Sequence, residues 1–226
     1  LHYIDLFAGA GIERLMESTA LEWGSPLLAA KLRFPFSRLH VCEKDPDKHK
    51  ALKTRLLQIR PDSQVLCGDA NECVDEIVRE VPNKTLSLAF LDPYGLHLAF
   101  ETLRNLADIR ADLIIFFPDH MDVLRNCEAY YLRDSNSNLD RCLGTGADWR
   151  SMLNATPADR WLEVFRDLYT TQIKSLGYSE FELQRICARG RPLYVLIFCS
   201  RSPLAAKLWR GISSKESDNQ RRLPFQ

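Results

Sequence analysis

Apolar residues recur along the chain in short, nearly unbroken runs separated by helix-like stretches. The runs predict strands near residues 2–8, 38–43, 64–68, 86–92 and 112–117. Their continuous apolar character suits parallel strands covered on both faces. Two later segments, 178–187 and 193–199, differ. Tyr178-Ser179-Glu180-Phe181-Glu182-Leu183 alternates, and Gly190-Arg191-Pro192 leads into Leu193-Tyr194-Val195-Leu196-Ile197-Phe198-Cys199. That is a hairpin signal, and it adds an antiparallel strand to the parallel set. Between the strands, Asp45-Pro46-Asp47 offers an N-cap and a first-turn acid for a helix through about Arg60, which Pro61 stops. Lys48, Lys50, Lys53 and Arg55 along that helix read as a solvated face, with phosphate-backbone contact as the alternative. A further helix is expected around Ser25 to Leu32. Residues 119–177 exceed a simple crossover and predict a mainly helical insertion, with Asp134-Ser135-Asn136-Ser137-Asn138 as a polar loop. Residues 201–226 read as a C-terminal helix and tail. The expectation is one α/β domain over 1–226: a three-layer, Rossmann-like, seven-stranded mixed sheet with one antiparallel strand and a helical insertion.

Composition narrows this without redirecting it. With 226 residues, 46% hydrophobic and 27% charged, the chain can bury a substantial core. No apolar run approaches the roughly 18 residues of a membrane span. The chain starts with Leu1 inside a strand, with no basic or cleavable leader, which leaves room for an upstream segment. Thirty basic residues balance thirty acidic ones, so no global field draws in nucleic acid, although a local basic face stays open. The seven cysteines (Cys42, Cys67, Cys73, Cys127, Cys142, Cys187, Cys199) form no CxxC, and no histidine pair stands at ligand spacing. Several fall within apolar strands as small hydrophobes, and a reducing, cytoplasmic setting is the simplest expectation.

The candidate chemistry sits where strands end. Tyr3-Ile4-Asp5-Leu6-Phe7-Ala8-Gly9-Ala10-Gly11 reads as a buried strand running into a glycine turn that opens a helix. Gly9 and Gly11 permit a sharp turn and bring backbone amides close to a ligand at a helix N-terminus. Arg14 stands where a dinucleotide fingerprint has its third glycine, which disfavours NAD more than a cofactor lacking pyrophosphate. Asp5 either orients this loop or faces the ligand. Glu43, closing Val41-Cys42-Glu43, is placed to accept hydrogen bonds from two ribose hydroxyls, or else to cap the next helix. Asp69, in Gly68-Asp69-Ala70-Asn71, is placed to accept from an adenine amino group beside a backbone amide, and also suits an N-cap. Asp92-Pro93-Tyr94-Gly95 carries the reacting chemistry. A carboxylate and a proline carbonyl accept the two hydrogens of an exocyclic amine, aiming its lone pair, while Tyr94 stacks on the planar ring. The alternative is a strand-terminating turn beside a pocket. Together these residues suggest S-adenosylmethionine-dependent methyl transfer to an amine, with a nucleobase amine among the candidates, and with Asp92, Pro93 and Tyr94 catalytic. The cofactor set is Asp5, Phe7, Ala8, Gly9, Gly11, Glu43, Asp69 and Ala70.

The order and spacing of these strings, with Gly24-Ser25-Pro26-Leu27-Leu28, Asp112-Leu113-Ile114-Ile115-Phe116-Phe117-Pro118, Arg125 and Leu193 to Phe198, resemble the bacterial three-Cys-motif partner protein family over most of the chain. The resemblance implies a class I methyltransferase-like fold and a partner protein bearing a three-cysteine motif, of a radical or iron–sulfur kind, on a different chain. Ala10 departs from the proline usual in that family. Asp92-Pro93-Tyr94-Gly95 is also similar, locally, to the motif of transfer-RNA guanine N2-methyltransferases. A non-catalytic binding module within the partner complex is the alternative function.

Overall fold

The computed structural model describes residues 1–14, 20–144, 148–188 and 191–220. Its chain divides into two compact units, Leu1–Asp92 with Asn105–Ala111, and Pro93–Arg104 with Asp112–Gln226.

In the first unit, β1 (His2–Asp5) pairs in parallel with β4 (Arg38–Glu43) on one side and β6 (Ser87–Leu91) on the other. Strand β5 (Gln64–Cys67) lies outside β4, again parallel. Every residue of β1 and the middle four of β4 are buried. Successive side chains in a strand point to opposite faces, so both faces of these strands are covered, as their largely apolar runs predict. Tyr3, Leu39 and Val41 meet Leu27 of α1 (Ser25–Ala30) and Leu52 and Leu56 of α2 (Pro46–Ile59) in one core cluster. Burying a side chain such as Leu52 contributes about 1.5–3 kcal/mol. Helix α2 begins where expected: Asp45 accepts from the amides of Asp47 and Lys48, and Pro46 occupies the first turn. Helix α3 (Ala70–Glu80) begins at Asp69 in the same way.

One expectation fails. The glycine turn does not open a helix. It leads into β2 (Ile12–Arg14), which pairs antiparallel with β3 (Leu21–Trp23). The amide of Gly24 donates to the carbonyl of Gly11 at 2.8 Å and continues that ladder, and only then does α1 start. The physical reason is local. Ile12 and Trp23 form a cross-strand pair, and the glycines on either side let the two backbones close on each other.

In the second unit, β7 (Asp112–Phe117) pairs antiparallel with β9 (Arg191–Ser200), which pairs antiparallel with β8 (Glu180–Ala188). Residues 189 and 190 of the expected turn lie outside the described residues, and Arg191 and Pro192 belong to β9. Between β7 and β8 the chain makes π-helical turns at Asp119–Val123 and Cys127–Tyr131 around the single turn of α5 (Leu124–Asn126). Helices α6 (Asn138–Leu143), α7 (Trp149–Asn154) and α8 (Trp161–Ser175) follow, with a 3₁₀ turn at Ala158–Arg160. Helix α8 buries Phe165, Tyr169 and Ile173, one stripe at four-residue spacing, and Tyr169 stacks on Phe117 with centroids 4.6 Å apart. Buried Asp119 takes a 2.7 Å hydrogen bond from Arg166 of α8. Helix α9 (Pro203–Gln220) places Trp209 flat against Phe198 at 4.8 Å. Helix α4 (Phe100–Asp108) belongs partly to each unit.

The strand order of the whole sheet is β5-β4-β1-β6-β7-β9-β8, with β9 the one antiparallel strand. This is the α/β, seven-stranded mixed sheet of the Rossmann-like methyltransferase architecture.

Candidate cofactor site

From β1 the chain steps outward to β4 and β5, then returns to the other side of β1 as β6. Such a reversal opens a crevice at the carboxyl ends of the strands, where α/β folds bind ligands. Strand register gathers the candidate residues there. Asp5 lies level with Val41 and Phe90, and Glu43 level with Cys67. The amide of Ala8 donates to Cys42 at 3.0 Å, and that of Gly68 to Glu43 at 3.1 Å.

Asp5 is fully buried and works as the organiser of the loop. It accepts from the Ser25 hydroxyl at 2.6 Å, the Tyr3 hydroxyl at 3.1 Å and the Phe7 amide at 3.2 Å. Burial pushes its carboxyl up to about 6, against the opposing pull of the Ser25, Phe7 and Tyr3 hydrogen bonds. Of the two roles open to it from sequence, the observed hydrogen bonds serve loop orientation. Gly9 and Gly11 both have positive φ, 60° and 76°. A methyl group on Gly9 would meet nothing within 4 Å, so this turn faces open space, whereas Gly11 backs onto Leu27 and Leu52 at 3.1–3.4 Å. Arg55 of α2 donates to the carbonyl of Ala10 at 2.6 Å and fixes the peptide between the two glycines. Sequence reading left Arg55 on a solvated face. Nothing in helix periodicity distinguishes it from its neighbours, because its partner lies 45 residues away in the chain.

Glu43 is partly exposed at the end of β4, and its Oε1 accepts from the Asp45 amide at 2.8 Å. Helix capping itself falls to Asp45, which leaves the other Glu43 oxygen uncommitted to that turn. Asp69 caps α3 through the Asn71 amide and takes Lys44 Nζ on its second oxygen at 2.9 Å. Burial works against its charge, but Lys44 and Asn71 outweigh it and hold the carboxyl below its usual range. Ala70, the first residue of α3, is buried.

Asp92 follows β6 and is exposed. Desolvation first, and the negative charge of Glu13 second, push its carboxyl up to about 6. Asp92 in turn adds to the rise at Asp5. Glu13 is a second residue sequence reading missed, since it stands on the unforeseen β2. Pro93 is buried and Tyr94 is 92% exposed, at the start of the second unit. Asp122, also unforeseen, accepts from the amide of Leu96 at 2.8 Å and so fixes the end of this loop. Cys42 of β4 and Cys199 of β9 are buried, as are Cys127 and Cys142 of the helical insertion, whereas Cys67 and Cys187, also on strands, are exposed. Among the described residues no group of three histidine, cysteine or acidic side chains is placed to hold a metal, and no helix is long and apolar enough to cross a membrane.

No family model and no curated protein matches the chain. Solved structures do. A protein from Legionella pneumophila is 13% identical over 89% of this chain and 77% of its own, with a TM-score of 0.48. Aeropyrum pernix fibrillarin, crystallised with natively bound S-adenosyl-L-methionine, is 12% identical over 88% of this chain and 65% of its own, at 0.47. Pyrococcus horikoshii Trm1, in complex with S-adenosyl-L-methionine, is 12% identical over 91% of this chain and 52% of its own, at 0.43. The architecture assigned above stands on the strand order itself.

The residues fit a cofactor of that kind on chemical grounds. The turn at Gly9 is open, and the strand ends around it present Glu43, Asp69 and Asp92 with Asp5 beneath. Carboxylates suit a ligand that carries an ammonium, a sulfonium and a vicinal diol.

Proposed function

We propose that the chain is an S-adenosylmethionine-dependent methyltransferase acting on an amine, in the setting of a partner protein with a three-cysteine motif. The observation that carries this is the reversal of strand order at β1, with Glu43, Asp69 and Asp92 at or just beyond the strand ends and open space at the Gly9 turn. Gly9 and Gly11 would hold the amino-acid end of the cofactor, with Phe7 and Ala8 supplying backbone. Glu43 would accept from the ribose hydroxyls, and Asp69 with Ala70 would meet the adenine. When bound, the cofactor supplies a methyl group on a sulfonium, an electrophile open to in-line displacement. Asp92 and the Pro93 carbonyl, consecutive in the chain, accept the two amine hydrogens and stabilise the charge that grows on nitrogen. With its carboxyl at about 6, Asp92 is ionised at neutral pH and near enough in basicity to take the surplus proton afterwards.

Calorimetric titration with S-adenosylmethionine tests the reading, with Glu43→Ala as the comparison. Loss of charged hydrogen bonds worth about 1.5–3 kcal/mol weakens binding roughly 10- to 150-fold. Absence of binding to the unaltered chain would overturn the enzyme reading. It would favour the binding-module alternative, which the exposed apolar side chains Leu21, Trp23, Leu28 and Phe34 support.

A further inference from the structure

The second unit contains a polar recess of about 320 Å³ whose walls include Tyr130, Tyr131, Asp134, Asn136 and Asn138. Two networks build it. On one side, Asp122 accepts from the Tyr131 hydroxyl at 2.5 Å and from Asn126 Nδ2 at 2.7 Å. On the other, Arg150 donates to the carbonyl of Tyr131 at 2.8 Å, to the carbonyl of Asp134, and to both oxygens of Asp140 at 2.6 and 2.7 Å. Asp140 also closes a capping box with Ser137 and takes the Trp149 indole N–H at 2.7 Å. The backbone that carries the wall is therefore held before any ligand arrives.

The lining is hydrogen-bonding and aromatic, with one carboxylate and no lysine or arginine among its described residues. That composition does not suit a phosphate. It suits an uncharged ring with a donor–acceptor edge. The carboxamides of Asn136 and Asn138 each offer a donor and an acceptor, Asp134 offers an acceptor to an exocyclic amine, and Tyr130, 66% exposed, offers a stacking face. The volume lies at the lower end of ligand cavities, about 300–1,000 Å³, which suits one ring system rather than a folded segment. The recess is also tied to the proposed amine-positioning loop: the same Asp122 that holds Tyr131 and Asn126 accepts the Leu96 amide, directly after Tyr94-Gly95.

We propose that this recess is a nucleobase-binding subsite, taking an amine-bearing base either as a free nucleoside or as an unpaired base in a strand. The assignment rests on the methyltransferase reading for its purpose, but its test does not. Adenosine, guanosine, cytidine, uridine and a ten-nucleotide mixed-sequence single-stranded RNA are titrated separately into the protein, followed by the side-chain amide resonances of Asn136 and Asn138. The expected result is a saturable shift with at least one amine-bearing nucleoside and with the RNA. Tyr130→Ala weakens it about 5- to 150-fold, the range of one base–aromatic stack, and Tyr130→Phe retains it. RNA binding more than tenfold tighter than the nucleoside assigns the site to a strand; equal affinity assigns it to the free nucleoside. No shift with any probe, or binding that Tyr130→Ala leaves unchanged, overturns the proposal. S-adenosylmethionine binding, measured on the same samples, separates the two claims: cofactor binding without base binding removes the subsite alone, and the reverse removes the methyltransferase reading alone.

Discussion

At the scale of single residues, the site is held against its own preference. Asp92 has an ordinary value of 3.8 and stands at about 6 in the fold, through desolvation and then Glu13. The folded protein thus binds this proton more tightly than the unfolded chain does. Stability from that difference is full below about pH 4 and is lost as pH rises through 6. Asp92→Asn removes the penalty. We expect the variant to melt higher than the parent at pH 7.5, with the gap closing as pH falls towards 4. Glu13→Gln should act in the same direction and less strongly. Thermal melts across that pH range check it, and an Asp92→Asn variant that melts lower at pH 7.5 would mean the carboxylate makes a stabilising contact. A residue that destabilises its own fold at working pH is typical of functional positions rather than of packing.

At the scale of elements, the loop between β1 and β2 separates backbone strain from packing. An alanine forced to positive φ costs roughly 1–2 kcal/mol. Gly9→Ala should show about that loss, because its methyl enters open space. Gly11→Ala should lose more, since its methyl also meets Leu52 at 3.1 Å and Leu27 at 3.2 Å. Urea midpoints at unchanged slope measure both. Gly9→Ala should in addition weaken S-adenosylmethionine, so a variant that binds normally would place the cofactor elsewhere. This loop also marks where the sequence stopped being legible. Strand β7 carries its own signal in the apolar run Leu113 to Phe117, although only alternate positions of it are fully buried. The caps Asp45 and Asp69 are local too, satisfied within three residues. Strands β2 and β3 are three residues each, and their polar positions carry no burial pattern. The contacts that shape the site, Arg55 to Ala10 and Asp122 to Leu96, span 45 and 26 residues, and no local periodicity encodes them.

At the scale of the whole molecule, charge constrains how nucleic acid would be engaged. The thirty cations and thirty anions are interleaved, with exposed pairs such as Arg38–Glu80, Lys44–Asp69, Arg104–Glu101, Arg160–Glu163 and Arg210–Glu182. Lysines and arginines committed in this way do not form a backbone-tracking stripe, and individual surface pairs add little stability. Binding of a single strand through phosphates releases counterions with a slope of about −0.7 per contact in log K against log salt. A chain that grips a base in a recess lined by no lysine or arginine among its described residues, and few phosphates, should therefore show a slope no steeper than about −2. Fluorescence anisotropy of a labelled ten-nucleotide RNA between 50 and roughly 300 mM salt gives the value directly. A slope near −5 would mean that a local basic face, rather than base capture, supplies the affinity. Base recognition would then fall to Tyr94 alone, and the recess beside Tyr130 would lose its strand-bound occupant.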